Sequence, residues 1–277
     1  MKKSISIWAF PGLKIKEAME LAKKAGFEAV ELALDEEGEI SLNSSQKEIE
    51  NVASMAKQIG LDISGLATGL FWKYSMTSNK KENVNKAREV CRKMLDTARW
   101  LGTDGILVIP GGVGADFIPG YEVVSYDLAY ERARKALKEV APYAEEKKVY
   151  VGVENVWNKF LLSPLEMKQF IDEINSPFVG VYFDVGNVVI NGYPEQWIRI
   201  LGKRIKRVHF KDFKSAVGNL NGFVDLLEGD VNWHEVIKAL KEVGYNGYVT
   251  AEFFGYKEYN EVLIYNISQA MDYILGR

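Results

Sequence analysis

Four apolar runs in the second half of the chain each lead to a side chain that could bind a metal or move a proton. They are "VYVGVE" (149–154), "FVGVYFD" (178–184), "IKRVHF" (205–210) and "GYVTAE" (247–252), and the side chains are Glu154, Asp184, His209 and Glu252. The intervals between them are 30, 25 and 43 residues. The first two match one strand–helix–strand unit each. The third leaves room for an extra loop, "KSAVGNLNGFVDLLEGD", after the third run.

Neighbouring strands of a barrel lie about 4.8 Å apart, so four successive strand ends gather three carboxylates and one imidazole around one point. Carboxylates that close repel one another strongly in a partly dry site. A divalent cation removes the repulsion. Three acids and one imidazole suit a hard or borderline ion, Mn²⁺ foremost, with Mg²⁺, Co²⁺ and Zn²⁺ able to take the same donors. A closed structural zinc site is not expected, because there are no cysteines to close it. Taken singly, a strand-end Glu usually caps a helix or forms an ion pair, and a lone His usually sits hydrogen-bonded in a core. Four such endings on consecutive apolar strands are the pattern that points to a metal.

The elements that must position these residues alternate along the whole chain. Strands are expected at Ile5–Phe10, Glu28–Leu34, Asp62–Thr68, Gly105–Pro110, Val149–Glu154, Phe178–Asp184, Ile205–Phe210 and Gly247–Glu252. Between them run stretches of helical period, such as Asn79–Leu101, where Val84, Ala87, Val90, Met94, Leu95, Ala98 and Leu101 form one apolar face. "SPLEM" reads as a helix start, with Ser163 as N-cap, Pro164 first in the helix and Glu166 closing a capping box. Asn232 with Glu235 repeats that signal, and Gly244 reads as the terminator. The later strands are apolar throughout, as strands covered on both faces must be. Eight strand–helix units without a Pro-, Ser- or Gly-rich joint predict an α/β fold, a single (βα)8 TIM barrel spanning 1–277 as one domain. An open doubly wound sheet is the alternative. The "PGGVG" stretch after the fourth strand matches no dinucleotide or nucleotide-phosphate fingerprint.

Composition removes several function classes. The formal net charge is −3, from 35 basic and 38 acidic residues, which gives no footprint for nucleic acid. The single cysteine, Cys91, excludes an internal disulfide framework and reads as a buried thiol on a helix. His234, the second of two histidines, reads as a surface residue. The start, "MKKSISIWAFPG", has an apolar run too short for a signal peptide or a membrane span. A cytoplasmic location is expected.

"VGVENVW", "VYFDVGNVV", "RVHFKDF" and "LLEGDVNWHEVIKALKEVGYNGYVTAEFF" resemble the sugar isomerase/epimerase superfamily of xylose-isomerase-like TIM barrels, in particular the ketose 3-epimerase group. The resemblance covers nearly the whole chain. It implies a metal held by Glu154, Asp184, His209 and Glu252, with Glu154 and Glu252 doubling as catalytic acid and base. It implies a small-molecule substrate, a sugar or sugar phosphate, whose carbonyl the ion polarises and whose enediolate it stabilises. A homo-oligomer belongs to the same expectation. Phe254 matches the aromatic wall beside the sugar, and Trp8 and Phe10 could extend it. Tagatose-type members carry a His three residues after the Asp ligand, where this chain has Asn187, and an Arg six after the His ligand, where it has Ser215. The branch acting on phosphorylated pentuloses is the nearer match at "DVGN". A phosphate would then meet Lys211, Lys214 or "PGGVG". An aldose–ketose isomerase, an inosose-dehydratase-like lyase and a non-catalytic sugar-binding barrel share the same parts. The trinuclear-zinc endonucleases of the superfamily need many histidines, and this chain has two.

Overall fold

Every residue of the strand Val179–Asp184 is buried, and that double-sided burial is what parallel strands require. The computed structural model describes residues 1–277. The strands in chain order are β1 (Lys2–Ser6), β2 (Ala29–Ala33), β3 (Asp62–Ala67), β4 (Gly105–Val108), β5 (Tyr150–Glu154), β6 (Val179–Asp184), β7 (Ile205–Phe210), β8 (Asp212–Phe213), β9 (Phe223–Val224) and β10 (Tyr248–Ala251). Eight close into a barrel in the order β1-β10-β7-β6-β5-β4-β3-β2. The remaining pair, β8 and β9, is a short antiparallel hairpin in the loop after β7. The closing seam pairs Lys2 with Tyr248 and runs in parallel register to Ile5 and Ala251.

The helices are α1 (Ile15–Lys24), α2 (Gln46–Ile59), α3 (Leu70–Lys73), α4 (Lys81–Leu101), α5 (Tyr126–Lys147), α6 (Pro164–Ile174), α7 (Pro194–Leu201), α8 (Trp233–Glu242) and α9 (Asn260–Leu275). On α4 the buried side chains include Ala87, Val90, Met94, Leu95, Ala98 and Leu101, with Cys91 among them. Burial pushes the Cys91 thiol up to about 12. His234 lies exposed on α8.

Several boundaries differ from the sequence expectation, each for a physical reason. The first strand lies earlier, at Lys2–Ser6, and Ile7–Ala9 turns as a 3-10 helix. Lys3 belongs to this strand although it is charged, because its buried ammonium donates to Ser268 and pairs with Asp272 at 2.6 Å. The capping box at Ser163 is half formed. Ser163 Oγ accepts from Glu166 N, but the Glu166 carboxylate accepts from Leu162 N and from Tyr126 Oη instead. Asn232 caps α8 through Glu235 N, while the Glu235 carboxylate is held by Arg199. Gly244 takes the expected left-handed conformation just past α8, at φ 75°.

Two register shifts interrupt the barrel ladders, between Val30 and Glu31 and between Val181 and Tyr182. Such irregularities re-aim side chains near functional sites. Here Tyr182 Oη donates to Glu31 across the barrel interior. Room for the Tyr182 ring comes from two glycines. A Cβ at Gly65 would stand 2.9 Å from Tyr182 Oη, and one at Gly152 would stand 2.9 Å from its Cδ2. Gly152→Ala therefore overpacks the barrel and should cost about 1–3 kcal/mol of stability. A lower denaturant midpoint with unchanged slope is the expected reading, and an unchanged midpoint would show that the layer has slack.

Candidate metal centre and active site

Glu154 and Asp184 are the last residues of β5 and β6, and His209 is the penultimate residue of β7. Glu252 follows β10 by one residue and is tied to the neighbouring strand through its N–H, which donates to Phe210 O at 3.2 Å. Strand pairing sets Asp184 directly beside His209. One donor atom from each of the four side chains lies within 4.8 Å of the others. His209 Nδ1 is 3.1 Å from Glu252, 3.7 Å from Glu154 and 3.9 Å from Asp184. This is the C-terminal end of the barrel, where enzymes of this fold place their chemistry.

Three buried atoms here have no hydrogen-bond partner: Asp184 Oδ2, His209 Nδ1 and Glu252 Oε2. Unpartnered buried polar atoms are costly, and these converge on one point. Lys211 supplies the only nearby ammonium. Its Nζ lies 2.6 Å from Glu252 Oε2 and 3.2 Å from Asp184 Oδ2, as ion pairs without hydrogen-bond alignment. Burial pushes the Glu154 carboxyl up to about 7, with the Glu252 charge adding to it and His209 and Lys211 opposing. Burial raises Asp184 too. At Glu252 burial acts the same way, but the Lys211 and His209 charges overcome it and hold the carboxyl well below its usual range. Three oxygen donors and one imidazole nitrogen, with atoms that lack hydrogen-bond partners facing inward, fit a divalent cation. The ammonium and such a cation would compete for the same oxygens.

The set is held from behind. His209 Nε2 lies 2.9 and 3.1 Å from the two oxygens of Glu31, which is fully buried and also accepts from Tyr182. A proton on Nε2 directed at that carboxylate leaves Nδ1 free to ligate, the arrangement that orients metal-binding histidines. Asp184 is fixed through amides. Asn155 exchanges hydrogen bonds with the Asp184 backbone, at 2.8 Å to its O and 2.9 Å from its N. Asn187 N donates to Asp184 Oδ1 at 2.7 Å, which leaves Oδ2 facing the cluster. The Asn187 side chain donates to Asn155 O, and the Asn187 backbone carbonyl accepts from the Trp157 indole. The amide that follows Glu154 in "VENVW" is thus a strap between two strand ends.

Above the cluster opens a cavity of about 550 Å³ whose lining includes Glu154, Glu252, Lys211, Asn187, Trp8 and Phe254. The four expected ligands are at this cluster, and Trp8, Asn187, Lys211 and Phe254, expected to meet substrate, line this cavity. Phe254 is 85% exposed and Phe10 is buried in the core instead.

The family model described as xylose isomerase-like TIM barrel matches residues 19–273. The chain belongs to that family. SgbU of Escherichia coli (strain K12), which carries the provisional name of an L-ribulose-5-phosphate 3-epimerase, is 28% identical over 94% of this chain and 90% of its own. L-ribulose-5-phosphate 3-epimerase UlaE of Escherichia coli is 25% identical, over 94% and 89%. Among solved structures, a D-psicose 3-epimerase crystallised in the presence of D-fructose superposes with a TM-score of 0.82 over the whole of both chains, at 18% identity.

Glu31 is the residue against the cluster that sequence reasoning missed. The signal was present: a carboxylate in the middle of "EAVELAL", a run otherwise read as a buried strand. Of the phosphate contacts suggested by sequence, Lys211 lines the cavity and the other two do not present themselves there. Gly112, Val113 and Gly114 of "PGGVG" spend their N–H groups on Thr77 Oγ1 and Asn158 O, and Lys214 is absent from the cavity lining. Glu31→Ala would leave His209 Nε2 and Tyr182 Oη without their acceptor. It should weaken Mn²⁺ binding about 10–100-fold, the usual effect of losing such a partner, as read by titration calorimetry. Affinity equal to the unmodified chain would remove Glu31 from the metal centre.

Proposed function

We propose that the chain is a divalent-metal-dependent ketose 3-epimerase, built as one barrel domain, that inverts the carbon next to a sugar's carbonyl. The observation that carries this reading is the placement of two carboxyl groups on either flank of the cluster. Glu252 follows β10 and Glu154 ends β5, with β7 and β6 between them in the ring. Bound by Glu154, Asp184, His209 and Glu252, a divalent cation would polarise the carbonyl and stabilise the negative charge that develops on oxygen; we assign Mn²⁺ to this set. The named activities of the relatives, 3-epimerases of L-ribulose 5-phosphate and D-psicose, support the same class.

Two carboxyl groups on opposite flanks are what a two-base inversion needs: one accepts the proton from carbon and the other returns a proton to the opposite face. After one turnover the protonation states are exchanged, which is the starting state for the reverse epimerisation. Trp8, Asn187, Lys211 and Phe254 orient the sugar from the cavity wall. Trp8 and Phe254 offer apolar surface to its C–H groups, and the Asn187 Oδ1 and Lys211 ammonium are within the same cavity to meet hydroxyls.

In deuterated buffer with Mn²⁺, recovered ketose should carry deuterium at the inverted carbon. Glu154→Gln should lower the rate by about 10²–10⁴-fold while Mn²⁺ still binds. Loss of water from a keto-sugar without inversion would assign a lyase instead, and sugar binding with no exchange would assign a binding protein. Chelation should abolish turnover and Mn²⁺ restore it. Full activity in the chelated enzyme would sink the metal reading.

A further inference from the structure

The cavity over the metal cluster does not end at its own wall. A second chamber of about 540 Å³ adjoins it and shares Phe117, Val156, Trp157, Asn187 and Leu220 with it. Pockets of roughly 300–1,000 Å³ hold a whole drug-sized ligand, so the inner chamber alone accommodates a monosaccharide. The outer one lies on the side of β5 and β6. Its rim carries a cluster of exposed apolar side chains, Phe117, Leu162, Ile190 and Leu220. Clustered exposed apolar residues mark ligand grooves more often than chance surface. The same chamber is lined by exposed amides, Asn191 and Asn221. Apolar faces for C–H groups beside amides for hydroxyls are the two surfaces a sugar ring presents a need for.

Charge narrows the class further. Lys211 is the only cationic side chain of the inner chamber, and it already pairs with Asp184 and Glu252. Asp225 also lines that chamber, held by Tyr256 Oη. In the outer chamber the only cation is Lys159, paired with Asp116 at 2.7 Å. The glycine loop has no free amides at 112–114 to receive an anion. Lys211 apart, whose ammonium lies against the metal-site carboxylates themselves, a phosphate dianion would meet no unpaired positive charge in either chamber.

We propose that the sugar taken by this site is uncharged and carries a second sugar ring, the ketose over Glu154 and Glu252 and the glycosyl group in the outer chamber. This rests on the ketose epimerase reading for its inner half only. Two measurements test it separately. In the first, the Mn²⁺-loaded chain is titrated calorimetrically with sorbitol, sorbitol 6-phosphate and isomaltitol, none of which has a carbonyl to react. Isomaltitol should bind at least tenfold tighter than sorbitol, and the phosphate no tighter than sorbitol. In the second, deuterium uptake from solvent is followed for fructose, fructose 6-phosphate, maltulose and isomaltulose. The better glycosyl ketose should exceed fructose at least tenfold in kcat/KM. Leu162→Trp and, separately, Asn191→Trp should lower kcat/KM for that glycosyl ketose at least tenfold more than for fructose. If fructose exchanges but the phosphate is preferred, or neither glycosyl ketose surpasses fructose, the inference is overturned and the epimerase reading survives. If no sugar exchanges yet isomaltitol binds tenfold tighter than sorbitol, the epimerase reading falls and the glycosyl class stands. Equal binding of the three alditols would overturn the inference outright.

Discussion

Three carboxyl groups and an imidazole held within 4.8 Å of one another, in a pocket where none is more than 11% exposed, form an arrangement that water cannot screen. Like charges so placed repel, and burial adds a desolvation penalty to each. The surrounding structure can be read as the answer to that strain. Glu31 turns His209 so that one nitrogen faces inward. Asn155 and Asn187 grip Asp184 by its backbone and by one oxygen, so that the other oxygen is committed to the cluster. Lys211 supplies local positive charge. Each device fixes the direction of a donor, and direction is what a coordination sphere and a proton transfer both need.

The barrel supplies the rigidity beneath. Tyr182 fills the space that Gly65 and Gly152 leave and carries its hydroxyl to Glu31. Core packing and the orientation of a candidate ligand are therefore one problem in this layer. Above the cluster the requirement changes from rigid to receptive. Aromatic side chains from segments that follow different strands, Trp8, Trp72, Phe117, Trp157 and Phe254 among them, wall the cavity without contributing charge. The division follows the fold: strand ends carry the chemistry, and loops carry the choice of substrate.

Most of the barrel and the four converging side chains were legible in the sequence, because strands buried on both faces read as unbroken apolar runs and an acid at the end of such a run is conspicuous. What was not legible depended on partners far away in the chain. Lys2 and Lys3 look unlike strand residues until Asp62, Ser268 and Asp272 are seen to receive them. Glu31 looks like any strand charge until His209, 178 residues later, is found against it. The carboxylates of Glu166 and Glu235 were expected to reach back to the caps Ser163 and Asn232, yet Tyr126 and Arg199 on other helices hold them. The hairpin of β8 and β9 and the single turn of α3 are too short to leave a periodic signal. The glycine loop misled for the same reason: its amides are spent on Thr77 and Asn158, contacts that only the folded chain reveals.

The ammonium of Lys211 among the acids has a consequence for how such a protein matures. A chain that brings its own counter-charge to the mouth of its barrel lessens the mutual repulsion of the acids as the strand ends come together. On the metal reading proposed above, an incoming cation would take over that part, and the lysine would have to swing aside to let it in.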